Sequence, residues 1–243
     1  MSNAPAFRHV AAGRGVDWLS EGFGLFKQAP LPWIALPLLW FLGMALVSLV
    51  PFIGALAINL TAAVVFGGFL LGAHAQDQGN GLKLEALWSG FAAPHLQPLL
   101  LLGVAYLVMG MAIAFVVGGM VLTTIGGAIV GGDTAGASFG IGGLISLLAL
   151  LLLVVGFSLA TWFAPGLVVF GGLGPLEALK LSFRAALANL GALAVYGLLT
   201  MLLALAAMIP FGLGLLVALP VFIAAMYCSY RDVFGVPVRE VLP

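Results

Sequence analysis

The side chains that could do chemistry in this sequence are few and far apart. His74, His95 and Cys228 are metal-type donors, but they lack a paired-cysteine spacing or a histidine pair one helical turn apart, so no metal centre is expected. No serine or cysteine stands with a histidine and an acid in a hydrolase pattern, so no catalytic residue and no cofactor are assigned. The glycines at 131, 132, 136, 140, 142 and 143 lack the lysine and hydroxyl of a phosphate loop and read as a flexible connection.

Two polar pairs remain. Asn59 and Thr61 stand in an apolar run, where they could form a coordination site or an intramembrane polar contact; hydrogen bonding between helices is the plainer role. Lys180 and Arg184 lie one helical turn apart and could contact the phosphate of an anionic lipid. Glu177 can pair with Lys180 instead, and setting topology is the plainer role of these cations.

The elements that position these residues are set by composition. The chain of 243 residues is 63% hydrophobic and only 7% charged, with a mean hydropathy of +1.25. Ordinary soluble domains carry about 25% charged residues, so this composition cannot clothe a water-soluble surface. Eight basic and eight acidic residues balance, which gives no indication of nucleic acid as a partner. One cysteine excludes an intrachain disulfide.

Uncharged runs near the ~20 residues a bilayer requires give six transmembrane helices, at 33–50, 52–71, 99–121, 141–164, 190–209 and 211–230. They belong to a single integral membrane domain over 1–243. The third run continues past its expected end at Val121; 122–140, rich in glycine and containing Asp133, reads as a loop, with a longer tilted helix as the competing reading. The first thirty residues carry Asp17, Glu21 and Lys27 and lack an apolar core, so a cleavable signal is not expected.

All eight lysines and arginines fall on one side of this arrangement, which places both termini in the cytoplasm. Trp33, Trp162, Tyr227 and Tyr230 fall near the same side, as interfacial aromatics should. No charged residue or histidine lies within these spans, which argues against an ion-coupled relay.

The cytoplasmic connections share a helical stripe. Val16, Leu19, Phe23 and Phe26 oppose Asp17, Glu21 and Lys27, giving an interfacial helix over 16–28. Leu176, Leu179, Phe183, Leu187 and Leu190 oppose Glu177, Lys180 and Arg184, and Leu84, Leu87, Trp88 and Phe91 form a weaker stripe. The expected fold is therefore all-α: six transmembrane helices as three hairpins, each preceded by a cytoplasmic amphipathic interfacial helix. Similar outer turns, Val50-Pro51-Phe52-Ile53-Gly54 and Ile209-Pro210-Phe211-Gly212-Leu213, support the repeat. Small residues at Gly68 and Gly72, and at Gly110, Ala114 and Gly118, allow close helix packing.

Three stretches, Gly13 to Pro30, Leu176 to Asn189 and Tyr227 to Phe234, together resemble a family of uncharacterised proteobacterial six-helix inner-membrane proteins. The middle stretch is more distantly similar to the membrane domain attached to some bacterial glycerophosphodiester phosphodiesterases, whose soluble catalytic domain has no counterpart here. The resemblance implies a bacterial inner-membrane location and transfers no catalytic residue.

The expected function is a non-enzymatic inner-membrane accessory, scaffold or partner-binding component, in contact with membrane lipids and a protein partner. The alternative is a transporter or lipid-handling protein for a neutral or amphiphilic substrate, using a cavity between glycine-rich helices.

Overall fold

The computed structural model describes residues 5–50, 53–131 and 141–235, and all regular secondary structure among them is helical. The long helices are α2 (Pro30–Val47), α3 (Ile53–Asp77), α5 (Leu96–Gly131), α6 (Ile141–Trp162), α9 (Leu190–Met208) and α10 (Leu215–Phe234). These six are long and apolar enough to cross a membrane. Between them stand α1 (Arg14–Gln28), the single turn α4 (Ala86–Ser89), α7 (Ala164–Val169) and α8 (Pro175–Ala188). Helix is the form lipid imposes on such runs, because it satisfies backbone hydrogen bonds within the segment.

The helix ends differ from the sequence expectation in instructive ways. Helix α5 runs on through 122–131, correcting the loop expected there. The run contains neither proline nor charge, and a glycine costs a helix only about 1 kcal/mol, less than an unsatisfied backbone in lipid. Residues 132–140, with Asp133, and Pro51 and Phe52, where sequence places an outer turn, lie outside the described set. At the other end, α3 and α10 extend beyond 71 and 230, so His74, Asp77, Arg231 and Asp232 are helical residues rather than connections. The apolar helices thus do carry charge, gathered at one end. Helix α6 stops at Trp162 and α7 restarts with Pro165 in its first turn, the position proline tolerates best.

Helices α3 and α10 are the most buried of the six and form the centre. The densest core lies at their charged ends, around Trp18, Trp33, Phe163, Leu167, Tyr227 and Tyr230. Toward the opposite end the side chains face outward, as at Phe115, Ile209 and Phe211. With no hydrophobic contrast between Leu and lipid tails, that half needs no tight core.

The order of packing is offset from the order of the chain. Helix α4 precedes α5 but packs on α3; α8 precedes α9 but packs on α6 and α7; α1 precedes α2 but packs chiefly on α10 and α9. Each of the three therefore docks on the second long helix of the preceding pair, and α1 closes the cycle on the last.

Candidate functional site

The docking segments share one octapeptide pattern: Val16-Asp17-Trp18-Leu19-Ser20-Glu21-Gly22-Phe23, Leu84-Glu85-Ala86-Leu87-Trp88-Ser89-Gly90-Phe91 and Leu176-Glu177-Ala178-Leu179-Lys180-Leu181-Ser182-Phe183. The seventh position is small in each because it meets the backbone of the helix beneath. A Cβ at Gly22 would lie 2.7 Å from the Ala225 nitrogen and 2.8 Å from the Val221 oxygen. One at Gly90 would press into the Val64 carbonyl beside Gly68. Ser182 fits by hydrogen bonding: its Oγ accepts from the Phe163 N–H at 2.9 Å and donates to the Leu159 carbonyl at 3.0 Å. The pairs Val221 and Ala225, Val64 and Gly68, and Leu159 and Phe163 are each one helical turn apart, so all three dockings use the same register.

Two equivalent lateral grooves follow from this geometry. One, of about 440 Å³, lies between α2, α3 and the α4 segment; another, of about 530 Å³, lies between α9, α10 and α1. Leu84, Leu87, Trp88 and Phe91 line the first where Val16, Leu19, Ser20 and Phe23 line the second. On the long helices, Leu39, Gly43, Thr61 and Val65 correspond to Leu199, Leu203, Ala218 and Phe222. Both volumes fall in the usual range of roughly 300–1,000 Å³ for small-molecule sites. Trp40 also lines the first groove, and its buried Nε1 has no hydrogen-bond partner among the described residues, an omission that costs about 1–3 kcal/mol unless a ligand or lipid group accepts from it.

The ring closes through charge. Asp232 accepts from Arg8 Nη2 at 2.5 Å, Arg14 Nε at 2.6 Å and Trp18 Nε1 at 2.9 Å, and its own carbonyl accepts from Arg8 Nε. Arg14 reaches Glu21 at 3.1 Å, Glu21 reaches Arg231 at 2.6 Å, and Arg231 Nη1 straddles both oxygens of Asp77 at 2.7 Å. Tyr227 donates to Asp77 at 2.9 Å, and His74 Nδ1 lies 3.1 Å from the Tyr227 hydroxyl. The bond to Asp232 is the leading cause that holds the Arg14 guanidinium above its ordinary pKa. Asn189 ties down the segment before α1, accepting from the Val10 N–H at 2.8 Å and donating to the Arg8 carbonyl at 3.1 Å. Gln76 accepts from Trp33 Nε1 at 2.8 Å and donates to the Leu25 carbonyl at 2.7 Å.

The residues singled out from sequence scatter over this frame. Thr61 lines the first groove and donates to the Ala57 carbonyl at 2.6 Å, whereas Asn59 turns toward α5, where a Cβ on Gly110 would lie 3.6 Å from its Oδ1. They do not form a common coordination site. His95 lines a separate cavity of about 450 Å³ beside Lys83 and Glu85, and Cys228 is buried. Lys180 and Arg184 are exposed, and no ion pair to either occurs among the described residues. Helix α8 buries its small face, Ala178, Ser182, Ala185 and Ala186, and turns Leu176, Phe183 and Leu187 outward beside these cations. Helix α1 divides its expected stripe, burying Leu19 and Phe26 and exposing Val16 and Phe23.

A sequence relative bears on where these six apolar helices sit. The chain is 34% identical, over 93% of its length and 93% of the other's, to a probable inner membrane protein of Burkholderia thailandensis. The chain belongs to that inner-membrane protein family. No family model matches the chain, and no solved structure matches it. The relative's name carries no activity, and the likeness to phosphodiesterase membrane domains is not among the matches.

Proposed function

We propose that this protein is a non-enzymatic inner-membrane component that holds lipid-like amphiphiles in lateral grooves. It is built of three hairpins, each introduced by a cytoplasmic interfacial helix, with both termini in the cytoplasm. The observation that carries the reading is the recurrence of one apolar groove, with the same lining positions, in two units of the cycle. A packing accident would have no reason to recur in register. Apolar walls open toward the bilayer suit acyl chains, and the unpartnered Trp40 N–H offers one polar contact for an ester or hydroxyl oxygen. The carboxylates of Asp77, Glu21 and Asp232 are each held by a guanidinium, which supports a structural rather than catalytic use of the charges. The distant phosphodiesterase resemblance falls on α8 and fits a lipid-facing unit.

Gly43 supplies the test. It lines the first groove, and a Cβ there meets nothing within 4 Å, so Gly43→Phe fills the groove without displacing backbone. Native mass spectrometry of protein released from mild detergent is expected to show retained lipid on the natural chain and one fewer lipid on the variant. Equal retention would sink the reading.

The outward Leu176, Phe183 and Leu187 of α8 favour a second reading, an accessory or scaffold role with a membrane-protein partner on that face. A chain that repeatedly emerges from mild detergent alone and monomeric would exclude it.

A further inference from the structure

The cycle has three units, and the two grooves described occupy two of them. Transferring the register to the third places an equivalent groove between α5, α6 and α8. Leu107 and Met111 stand for Leu39 and Gly43, and Gly156 and Ala160 stand for Thr61 and Val65. The α8 wall is then Leu176, Leu179, Lys180 and Phe183. The elements meet as this requires, since α8 packs on α6 and also touches α5. Met111, Leu176 and Phe183 are exposed, and a Cβ on Gly156 would enter open space, as a groove at this place requires.

The fifth octapeptide position separates the three grooves chemically. It is Ser20 in one, Trp88 in another and Lys180 in the third. One turn further on, Gly24 and Ala92 correspond to Arg184. The acid at the second position, Asp17, Glu85 or Glu177, is common to all three and does not distinguish them. At these two positions only the third segment carries cations, and both are exposed and free of ion pairs among the described residues.

We infer that this third groove is a selective site for a phospholipid of net negative headgroup, its acyl chain between α5 and α6 and its phosphate on Lys180 and Arg184. The inference rests on the lipid-holding reading and adds the headgroup class. Long cationic side chains beside an apolar stripe set their charge at headgroup level while their stems stay in the apolar layer. Glu177 offsets one of the two cations and leaves a net attraction for an anion.

The full chain, equilibrated with equimolar phosphatidylglycerol and phosphatidylethanolamine of identical acyl chains, tests the inference by native mass spectrometry. Preferential retention of phosphatidylglycerol is expected. In the double variant Lys180→Gln, Arg184→Gln, that preference should fall about tenfold while total retained lipid stays nearly constant. Gly156→Phe should remove the phosphatidylglycerol-selective adduct, and Gly43→Phe should leave it in place. Lipid retained without headgroup preference, or a preference indifferent to Lys180 and Arg184, overturns this inference while the lipid-holding reading stands. Selectivity that survives Gly156→Phe overturns the groove assignment. No retention on any variant or on the natural chain overturns both.

Discussion

The junction between α4 and α3 and the junction between α1 and α10 perform the same docking with opposite materials. At the first, Gly90 meets the Val64 carbonyl so closely that no side chain fits, and no ion pair joins the α4 segment to α3 among the described residues. At the second, the same glycine contact recurs at Gly22, but Arg8, Arg14 and Glu21 are added against Arg231 and Asp232. The difference follows from covalent connection. Helices α3 and α4 are close neighbours in sequence, so their encounter carries little loop entropy, whereas α1 and α10 lie at opposite ends of the chain. Charge supplies orientation and attraction where the chain supplies none.

The largest expected effect comes from cutting the charged junction. Asp232→Ala leaves buried Trp18 without its acceptor and takes from Arg14 one of its three carboxylates, and should cost about 3 kcal/mol, the upper end of the usual loss for a buried donor left unsatisfied. A fall in the thermal midpoint of the detergent-solubilised protein, with new proteolysis before α1, is the expected readout. An unchanged midpoint and intact protection would mean that the glycine contact alone holds α1.

The close-packed junction should respond to size instead. Gly90→Val is expected to cost about 2 kcal/mol by overpacking and to open the α4 segment to hydrogen exchange, with the region before α1 still protected. Loosening at both junctions together would show that they are not independent. The smallest effect separates the two by salt: 1 M sodium chloride should weaken the partly exposed ion pairs by about 1 kcal/mol or less and leave α4 exchange unchanged. Equal sensitivity at the two junctions would contradict the division between charge and shape.

The long apolar runs made the six helices legible, because length and missing charge are enough to specify them. The ionic cluster was hidden for two reasons. Its members are as much as 224 residues apart, and Asp77, Arg231 and Asp232 sit where a charged residue is naturally read as the end of a span. Helices α3 and α10 could extend far enough to include those residues because each charge meets its opposite. The stripe on α8 was legible, but its direction was not: small residues, rather than leucines, lie against α6, which only the contact with Ser182 reveals. The octapeptide could have been found by aligning the three segments, since Leu19, Leu87 and Leu179, and Phe23, Phe91 and Phe183, coincide at one spacing. The grooves required the structure, because their walls combine the segment of one unit with the helices of another.

That offset also bears on how the protein is made. Among the described helices α1 leaves the ribosome well before α10, on which its docking surface lies. At the usual ~5–20 residues per second, the Gly22 face of α1 waits roughly 10–40 seconds for Val221 and Ala225 to arrive. During that interval the Trp18 indole lacks Asp232, its acceptor on α10. Of the described helices, α1 is thus made early and secured late.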